Sequence, residues 1–266
     1  MPELPEGETI KRELEKAILG KKILEVCVHH PKVIREPKVE KFKKGLTAVT
    51  IKNILRKAKV LILELSNGKS LVIHLKMTGQ LVYPGNGQKS RVSFRLSDKK
   101  LLDFNDQRLF AELRLLDDWR KLKFIQGLGP EPFDINAGQF KAMLSQKKTK
   151  IKPLLMDQTF ISGIGNLYAA EALFRAKVHP QRPASSLSEK EKESLFKEIK
   201  DTLTEAIQHK GSSVDQYVQL SGSPGDYAKY HKVYDRKGKP CLVCKTPVQR
   251  IALGGRGTYF CPKCQK

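Results

Sequence analysis

Four of the five cysteines stand as two tight pairs near the C-terminus, Cys241-Leu-Val-Cys244 and Cys261-Pro-Lys-Cys264, with residues 245–260 between them. So few residues cannot enclose an apolar core of their own, so a fold there needs a cross-link or a metal. Two Cys-x-x-Cys knuckles at this spacing suit a tetrahedral four-thiolate zinc site on a β-hairpin. Four protein ligands close the coordination shell, which gives one structural ion and no open position for chemistry. Two disulfides are the alternative, but disulfide-rich domains belong to secreted chains, and Cys27 would be left over. The acidic start Met-Pro-Glu-Leu-Pro-Glu has no apolar leader, and runs such as Val60 to Leu63 are too short to span a bilayer. The expectation is a cytoplasmic monomer with no membrane partner.

Fifty Lys and Arg face 28 Asp and Glu, a net charge of +22. Such an excess points to a polyanion, because each neutralised phosphate releases condensed counterions. A merely soluble or heat-adapted surface fits less well, since heat adaptation raises Glu together with Lys.

The local patterns divide the chain. Pro5 near a helix start, the apolar positions Ile10, Leu14, Ala17 and Ile18, and Gly20 beyond them predict an N-terminal helix. Residues 22–30, 47–54, 58–65, 70–76, 91–96 and 100–104 then read as strands. Asn67-Gly68 marks a hairpin, and a second turn lies at Ser97 to Lys99. Strands joined by short turns, with no helices between them, indicate an antiparallel sandwich or barrel. Gly127-Leu-Gly-Pro-Glu-Pro132 reads as a linker. Helices are expected at 138–147, 153–158, 166–177 and 189–209. The last has a capping box from Ser188 to Glu191, a stripe of Phe196, Ile199, Leu203 and Ile207, and Gly211 at its close. Residues 211–232 form the longest irregular stretch, of the kind that serves as a mobile loop.

Two features suggest chemistry. Removal of Met1 would free the secondary amine of Pro2. An α-amino group titrates near pH 8, about two units below a lysine, so more of it is nucleophilic at neutrality. Such an amine forms an iminium with a sugar carbon, and Glu3 and Glu6 stand beside it for proton transfer. A plain helix cap accounts for the same residues. At the other end, Leu253-Gly-Gly-Arg256-Gly-Thr258 sets an arginine among glycines at a hairpin tip, either to fork onto a phosphate or simply to sit in water.

Five ordered motifs add to this reading. They are Met1-Pro-Glu-Leu-Pro-Glu6, His74-Leu-Lys-Met-Thr-Gly79, Asp106-Gln-Arg108-Leu-Phe110, the run from Met156 through Ile161-Ser-Gly-Ile-Gly-Asn166 to Glu171-Ala-Leu-Phe-Arg, and Gly255-Arg-Gly-Thr-Tyr-Phe-Cys-Pro-Lys-Cys-Gln265. Together, over essentially the whole chain, they resemble the formamidopyrimidine-DNA glycosylases, bacterial enzymes of oxidised-purine repair. The resemblance implies an α+β multidomain fold. Residues 1–130 would form an N-terminal antiparallel β-sandwich with an N-terminal helix, 131–235 a helix-two-turn-helix domain, and 236–266 a zinc-finger hairpin.

It also implies an activity: excision of the damaged base through a Schiff base at Pro2, then strand cleavage by β- and δ-elimination. The partner would be double-stranded DNA holding oxidised bases or abasic sites, met at the nucleoid in a basic cleft between the sandwich and the helical domain. By position, Pro2 matches the nucleophile, Glu3 the general acid or base, Lys59 the catalytic lysine, and Arg256 the finger arginine. His74, Lys89, Arg108, Lys147 and Asn166 match DNA contacts. Met77, Arg108 and Phe110 match a trio that fills the hole left by an extruded base. Taken alone, Lys59 is a strand-edge lysine in water, and Met77 and Phe110 are core side chains.

Departures from the family pattern are Gly7 for valine, Lys89 for histidine, Leu109 and Ala111 in the Arg-Phe-Gly ending, Ala170 before Glu171, and Lys210 in a Gly-Gly-Ser turn. A sister group directed at oxidised pyrimidines tends to begin Pro-Glu-Gly-Pro, unlike Pro2-Glu-Leu-Pro5. A non-catalytic damage-binding module is the rival of another class, and Pro2, Glu3 and Lys59 argue against it.

Overall fold

The computed structural model describes residues 1–266 as two compact units. One comprises Met1–Gln126 with His209–Ala228, the other Gly127–Gln208 with Lys229–Lys266. No helix is long and apolar enough to cross a membrane.

The first unit opens with helix α1 (Leu4–Ile18), whose Ile10, Leu14 and Ile18 are fully buried. The chain continues through β1 (Lys22–Val28), β2 (Ile34–Glu36), α2 (Val39–Leu46), β3 (Val49–Lys57), β4 (Val60–Leu65) and β5 (Ser70–His74). It closes with β6 (Gly79–Gly85), β7 (Val92–Leu96), β8 (Leu101–Asp106), β9 (Glu112–Leu116) and the single turn α3 (Lys123–Gln126). The nine strands pair in the order β2-β9-β5-β4-β3-β1-β7-β8-β6. Phe94, Leu102 and Phe104 from one end of this order share a single core with Ile54, Leu63, Leu71 and Ile73 from the other. The sheet therefore folds over at the β1–β3 pair into the expected sandwich.

β4 is apolar at consecutive positions because both its faces are covered. Leu61, Leu63 and Leu65 enter the main core, while Val60 and Ile62 join Val72 beneath Trp119 and Leu122.

Besides the single turn α3, four elements lacked a clear sequence signal. α2 shows only Phe42 and Leu46 buried over eight residues, too short a pattern for a periodicity. β6 carries Pro84, which marks it as a sheet edge, and β9 alternates over only five residues. β2 has three residues and pairs with β9 in parallel, the one exception to an otherwise antiparallel sheet.

In the second unit the helices are α4 (Ala137–Ser145), α5 (Ile151–Met156), α6 (Asn166–Arg175) and α7 (Glu189–Gln208), followed by β10 (Gln249–Leu253) and β11 (Arg256–Phe260). α6 is buried from Leu167 to Phe174, apolar around its circumference but for Tyr168 and the fully buried Glu171. α7 packs on α4 and α6 through Leu195, Phe196, Ile199 and Leu203. Thr202 and Ala206 complete that face, and Ile207 is only partly covered. The segment expected as a linker is itself packed. The Ser162 amide donates to the Pro130 carbonyl (2.9 Å) and the Gly129 amide to that of Gln158 (2.8 Å). A Cβ on Gly129 would lie 2.5 Å from the Phe160 carbonyl oxygen, so only glycine fits there.

Candidate nucleic-acid interface and zinc centre

In the first unit the head of α1 is a buried polar knot. Pro2 is buried, as are Glu3 (5% exposed) and Glu6 (2%). The Glu3 amide donates to Glu6 Oε2 at 2.7 Å, and Glu6 Oε1 accepts the Ser212 amide at 2.9 Å. One carboxylate thus joins the helix start to residues 209–228. That stretch, which holds most of the 211–232 segment expected to be mobile, has several further anchors. The Leu220 amide donates to Glu13 Oε2 (2.8 Å), the Tyr83 amide to the Leu220 carbonyl (2.7 Å), and Gln80 Nε2 to the Gln216 carbonyl. Tyr217 is buried beside Glu6 and Glu13; desolvation first, then those carboxylates, push its phenol well above the usual range. Its hydroxyl donates to the Lys210 carbonyl at 2.9 Å. Met1 is 46% exposed and its ammonium lies 3.5 Å from Asp215. While Met1 is attached, Pro2 nitrogen is an acylated amide and has no nucleophilic lone pair.

Lys59 stands in the tight turn between β3 and β4, after Ala58 at φ +50°, rather than on a strand edge. Arg56 braces this turn against α1, its Nε donating to Glu8 (2.9 Å) and a terminal nitrogen to the Ala58 carbonyl (2.9 Å). Burial would raise the Glu8 pKa, but hydrogen bonds from Arg56 and Arg12 outweigh it and hold the carboxylate below its ordinary value. The Arg56 stem passes over Gly7, where a Cβ would approach its Cδ to 3.1 Å. A side chain at this departure would need the Arg56 stem to give by a few tenths of an ångström.

His74, at the end of β5, is held neutral. Burial chiefly, with Lys76 nearby, drives its pKa down to about 3. Its Nδ1 accepts the Lys76 amide at 3.0 Å, so the ring proton resides on Nε2, the tautomer that can donate to a phosphate.

Met77 (42%) and Phe110 (47%) are exposed, unlike core side chains. Arg108 lies between them in space, with its guanidinium 3.4 Å from Met77 Sδ and 4.8 Å over the Phe110 ring. Lys89 is exposed in the β6–β7 loop and is not drawn to this cluster.

In the second unit Asn166 is the first residue of α6, behind Gly165. Its Oδ1 accepts Lys152 Nζ at 2.5 Å, and its Nδ2 donates to the Gly257 carbonyl at 3.1 Å, tying the helix start to the finger hairpin. Gln158 laces the glycine turn before it, donating to the Ile164 carbonyl and accepting the Gly163 amide. Lys152, fully buried, carried no sequence signal, because a lone Lys in a short helix looks like a solvated side chain, and Gln158 stood in the motif from Met156 with no role attached to it. Arg256 is exposed just past a two-residue turn of Gly254 (φ +57°) and Gly255 (φ +70°), the turn that best matches strand twist. Lys147 is exposed after α4.

The four cysteine sulfurs lie within 4.8 Å of one another, Cys241 to Cys264 at 3.8 Å and Cys244 to Cys261 at 3.4 Å. Zinc–sulfur bonds of about 2.3 Å at tetrahedral angles place sulfurs about 3.8 Å apart, so the residues fit one structural zinc ion. The core around them is small, with Ala170, Phe174, Val233 and Val248. Ala170 is 1% exposed in it, where a carboxylate would be desolvated near four thiolates. Glu171 caps the incoming chain by accepting the amides of Lys232, Val233 and Tyr234 (2.8, 3.0 and 2.8 Å).

A β-sandwich with a helical head, a helical unit with a glycine turn, and a four-thiolate finger define a class: zinc-finger proteins of the helix-two-turn-helix type. Family models match it part by part. Residues 1–113 match the formamidopyrimidine-DNA glycosylase N-terminal domain, 128–218 the corresponding H2TH domain, and 238–266 the zinc finger found in FPG and IleRS. The formamidopyrimidine-DNA glycosylase of Pelotomaculum thermopropionicum is 41% identical over 274 residues, covering 100% of this chain and 99% of the relative. The MutM (Fpg) protein of Thermus thermophilus superimposes with a TM-score of 0.89 at 37% identity, covering 99% and 98% of the two chains. A Lactococcus lactis Fpg in complex with DNA containing an abasic site gives 0.90 at 34% identity and 99% coverage of both. The chain belongs to the formamidopyrimidine-DNA glycosylase family.

Proposed function

We propose that this chain excises oxidised purines from duplex DNA and then cuts the strand at the abasic site, with Pro2 as the nucleophile. Base-excision repair glycosylase activity follows from family membership along the whole chain. Relatives have been crystallised on DNA with an abasic site and on DNA with Fapy-dG, and these are the substrate classes proposed here. The modules proposed to divide the work are 1–130 for chemistry, 131–235 for DNA binding and 236–266 for the finger, acting at the nucleoid.

The observation that carries the reading is the buried acid pair at Pro2, with Glu3 at 5% and Glu6 at 2% exposure. Glu3 and Glu6 do form a reciprocal capping box at the start of α1, but burying both carboxylates beside Pro2 costs free energy that a cap of solvated Ser, Thr or Asp avoids. After Met1 is removed, the Pro2 nitrogen pair bonds to deoxyribose C1′ as the bond from C1′ to the base breaks with its electrons leaving on the base, and the proton shed by the Pro2 nitrogen neutralises the departing base. Glu3 supplies the proton that opens the sugar ring, which leaves a cationic iminium on C1′. That cation acidifies the C2′ hydrogen; its loss expels the 3′ phosphate, and loss of a further sugar proton expels the 5′ phosphate. Lys59 is assigned to the damaged nucleotide and Arg256 to a departing phosphate. His74, Lys89, Lys147 and Asn166 position the backbone. Met77, Arg108 and Phe110 fill the vacated stack. The zinc ion holds the hairpin and takes no step.

Borohydride reduction of the iminium tests this. Wild type should be trapped covalently on an 8-oxoguanine duplex, with the cross-link mapping to Pro2. Pro2→Gly, or an extra residue ahead of Pro2, should abolish trapping; unchanged trapping overturns the mechanism. Preference for thymine-glycol duplexes over 8-oxoguanine would transfer the chain to the pyrimidine-directed sister group.

A further inference from the structure

Two separate turns carry the exposed trio: residues 75–79 hold Met77, and 106–111 hold Arg108 and Phe110. Each turn contains a left-handed residue, Lys76 at φ +50° and Leu109 at φ +57°. The trio's own contacts are a sulfur and a ring face in solvent, too weak to set the spacing of two turns. One side chain bonds both. Asp106, 1% exposed, accepts the Thr78 hydroxyl of the first turn on Oδ1. From the second turn it accepts the Arg108 amide on Oδ1 (3.3 Å) and the Ala111 amide on Oδ2 (2.7 Å). The Thr78 hydroxyl in turn accepts the Arg108 amide at 3.2 Å. Below them the turns touch, and a Cβ on Gly79 would lie 2.9 Å from Ala111 Cβ.

We infer that Asp106 and Thr78 are positioning residues that fix the spacing of the Met77–Arg108–Phe110 wedge, and so act on duplex lesions rather than on the sugar chemistry. The donor inventory requires a carboxylate. Three donors converge on two oxygens, and an asparagine would turn an NH2 toward the Arg108 or Ala111 amide. Thr78 must supply a hydroxyl, and valine has the same shape without it. The inference rests on the wedge reading above, and a single-stranded substrate separates the two. An abasic site in single-stranded DNA has no opposite base and leaves no hole to fill, yet it offers Pro2 the same sugar.

The experiment compares kcat/KM for strand cleavage on an 8-oxoguanine duplex and on a single-stranded abasic oligonucleotide. Thr78→Val and Asp106→Asn should each lower the duplex value roughly tenfold or more, the scale of one buried charge-assisted bond. The single-stranded value should stay within about twofold by the same scale, and Thr78→Ser should behave as wild type on both. An equal fall on both substrates, or no fall on the duplex, overturns the inference. If Asp106→Asn does not fold, Thr78→Val and Thr78→Ser decide alone. Failure of wild type to cleave either substrate would instead remove the repair reading itself.

Discussion

At residue 210 a lysine adopts φ +61°, a left-handed backbone that costs an L side chain about 1–2 kcal/mol. Gly211 beside it has φ +75°, and a Cβ there would sit 2.9 Å from Glu6 Cγ and 3.0 Å from the Tyr217 ring. The two positions therefore respond with opposite sign. Lys210→Gly should stabilise the chain by roughly 0.5–1 kcal/mol, the relieved strain less the added entropy of the unfolded glycine. Gly211→Ala should destabilise it by about 2 kcal/mol or more, since both backbone and packing object. Urea denaturation of the two variants against wild type checks both signs. His74 shows how far a residue's surroundings shift its chemistry: its type signals a pH-sensitive cation, yet burial makes it a neutral donor.

At the scale of elements, α7 is held at its start by a reciprocal capping box. The Ser188 amide donates to Glu191 Oε2 (2.8 Å) and the Glu191 amide to the Ser188 hydroxyl (3.3 Å), the pattern expected from the sequence. Arg182, from the turn before the helix, forks onto the same carboxylate, a contact no local pattern signals. That bond first, with the Ser188 bonds, brings Glu191 to about 2 from its ordinary 4.5. A depressed carboxylate stabilises the fold above its unfolded pKa, and the contribution is lost as pH falls through the folded value. The melting-temperature gap between wild type and Glu191→Gln should therefore be widest above pH 4.5 and close as pH approaches about 2. Partial exposure of the pair keeps that gap small at any pH. Within the irregular stretch 211–232, residues 211–228 are tethered rather than free. Their Gly, Ser and Asp content is that of a free segment, but Glu6, Glu13 and Tyr83 bind them to the first unit.

For the molecule as a whole, the finger is the part least able to stand without its cofactor. Its core is a handful of residues, so metal binding supplies its folding free energy. Chelation should make residues 236–266 sensitive to protease, abolish duplex cleavage by displacing Arg256, and leave the far-ultraviolet dichroism of the sandwich largely intact. Added zinc should restore cleavage. Retained cleavage in a zinc-free sample would show that the hairpin holds Arg256 in place without the metal.

Composition and local pattern were enough for the zinc module, the helical head, six of the strands and the four main helices, because each rests on short-range rules of spacing, capping and turn chemistry. The motifs at Pro2, the 74–79 and 106–110 turns and the 156–175 run carried the family on top of that. Tertiary structure alone settled the rest. It put Met77 and Phe110 in solvent with Arg108 between them, moved Lys59 into a turn braced by Arg56, and packed Gly129 under Phe160. It also gave Lys152, Gln158 and Asp106 their partners. In each case the partner lies on another turn or element, so the deciding interaction, a buried polar group finding its complement, exists only once the chain has folded.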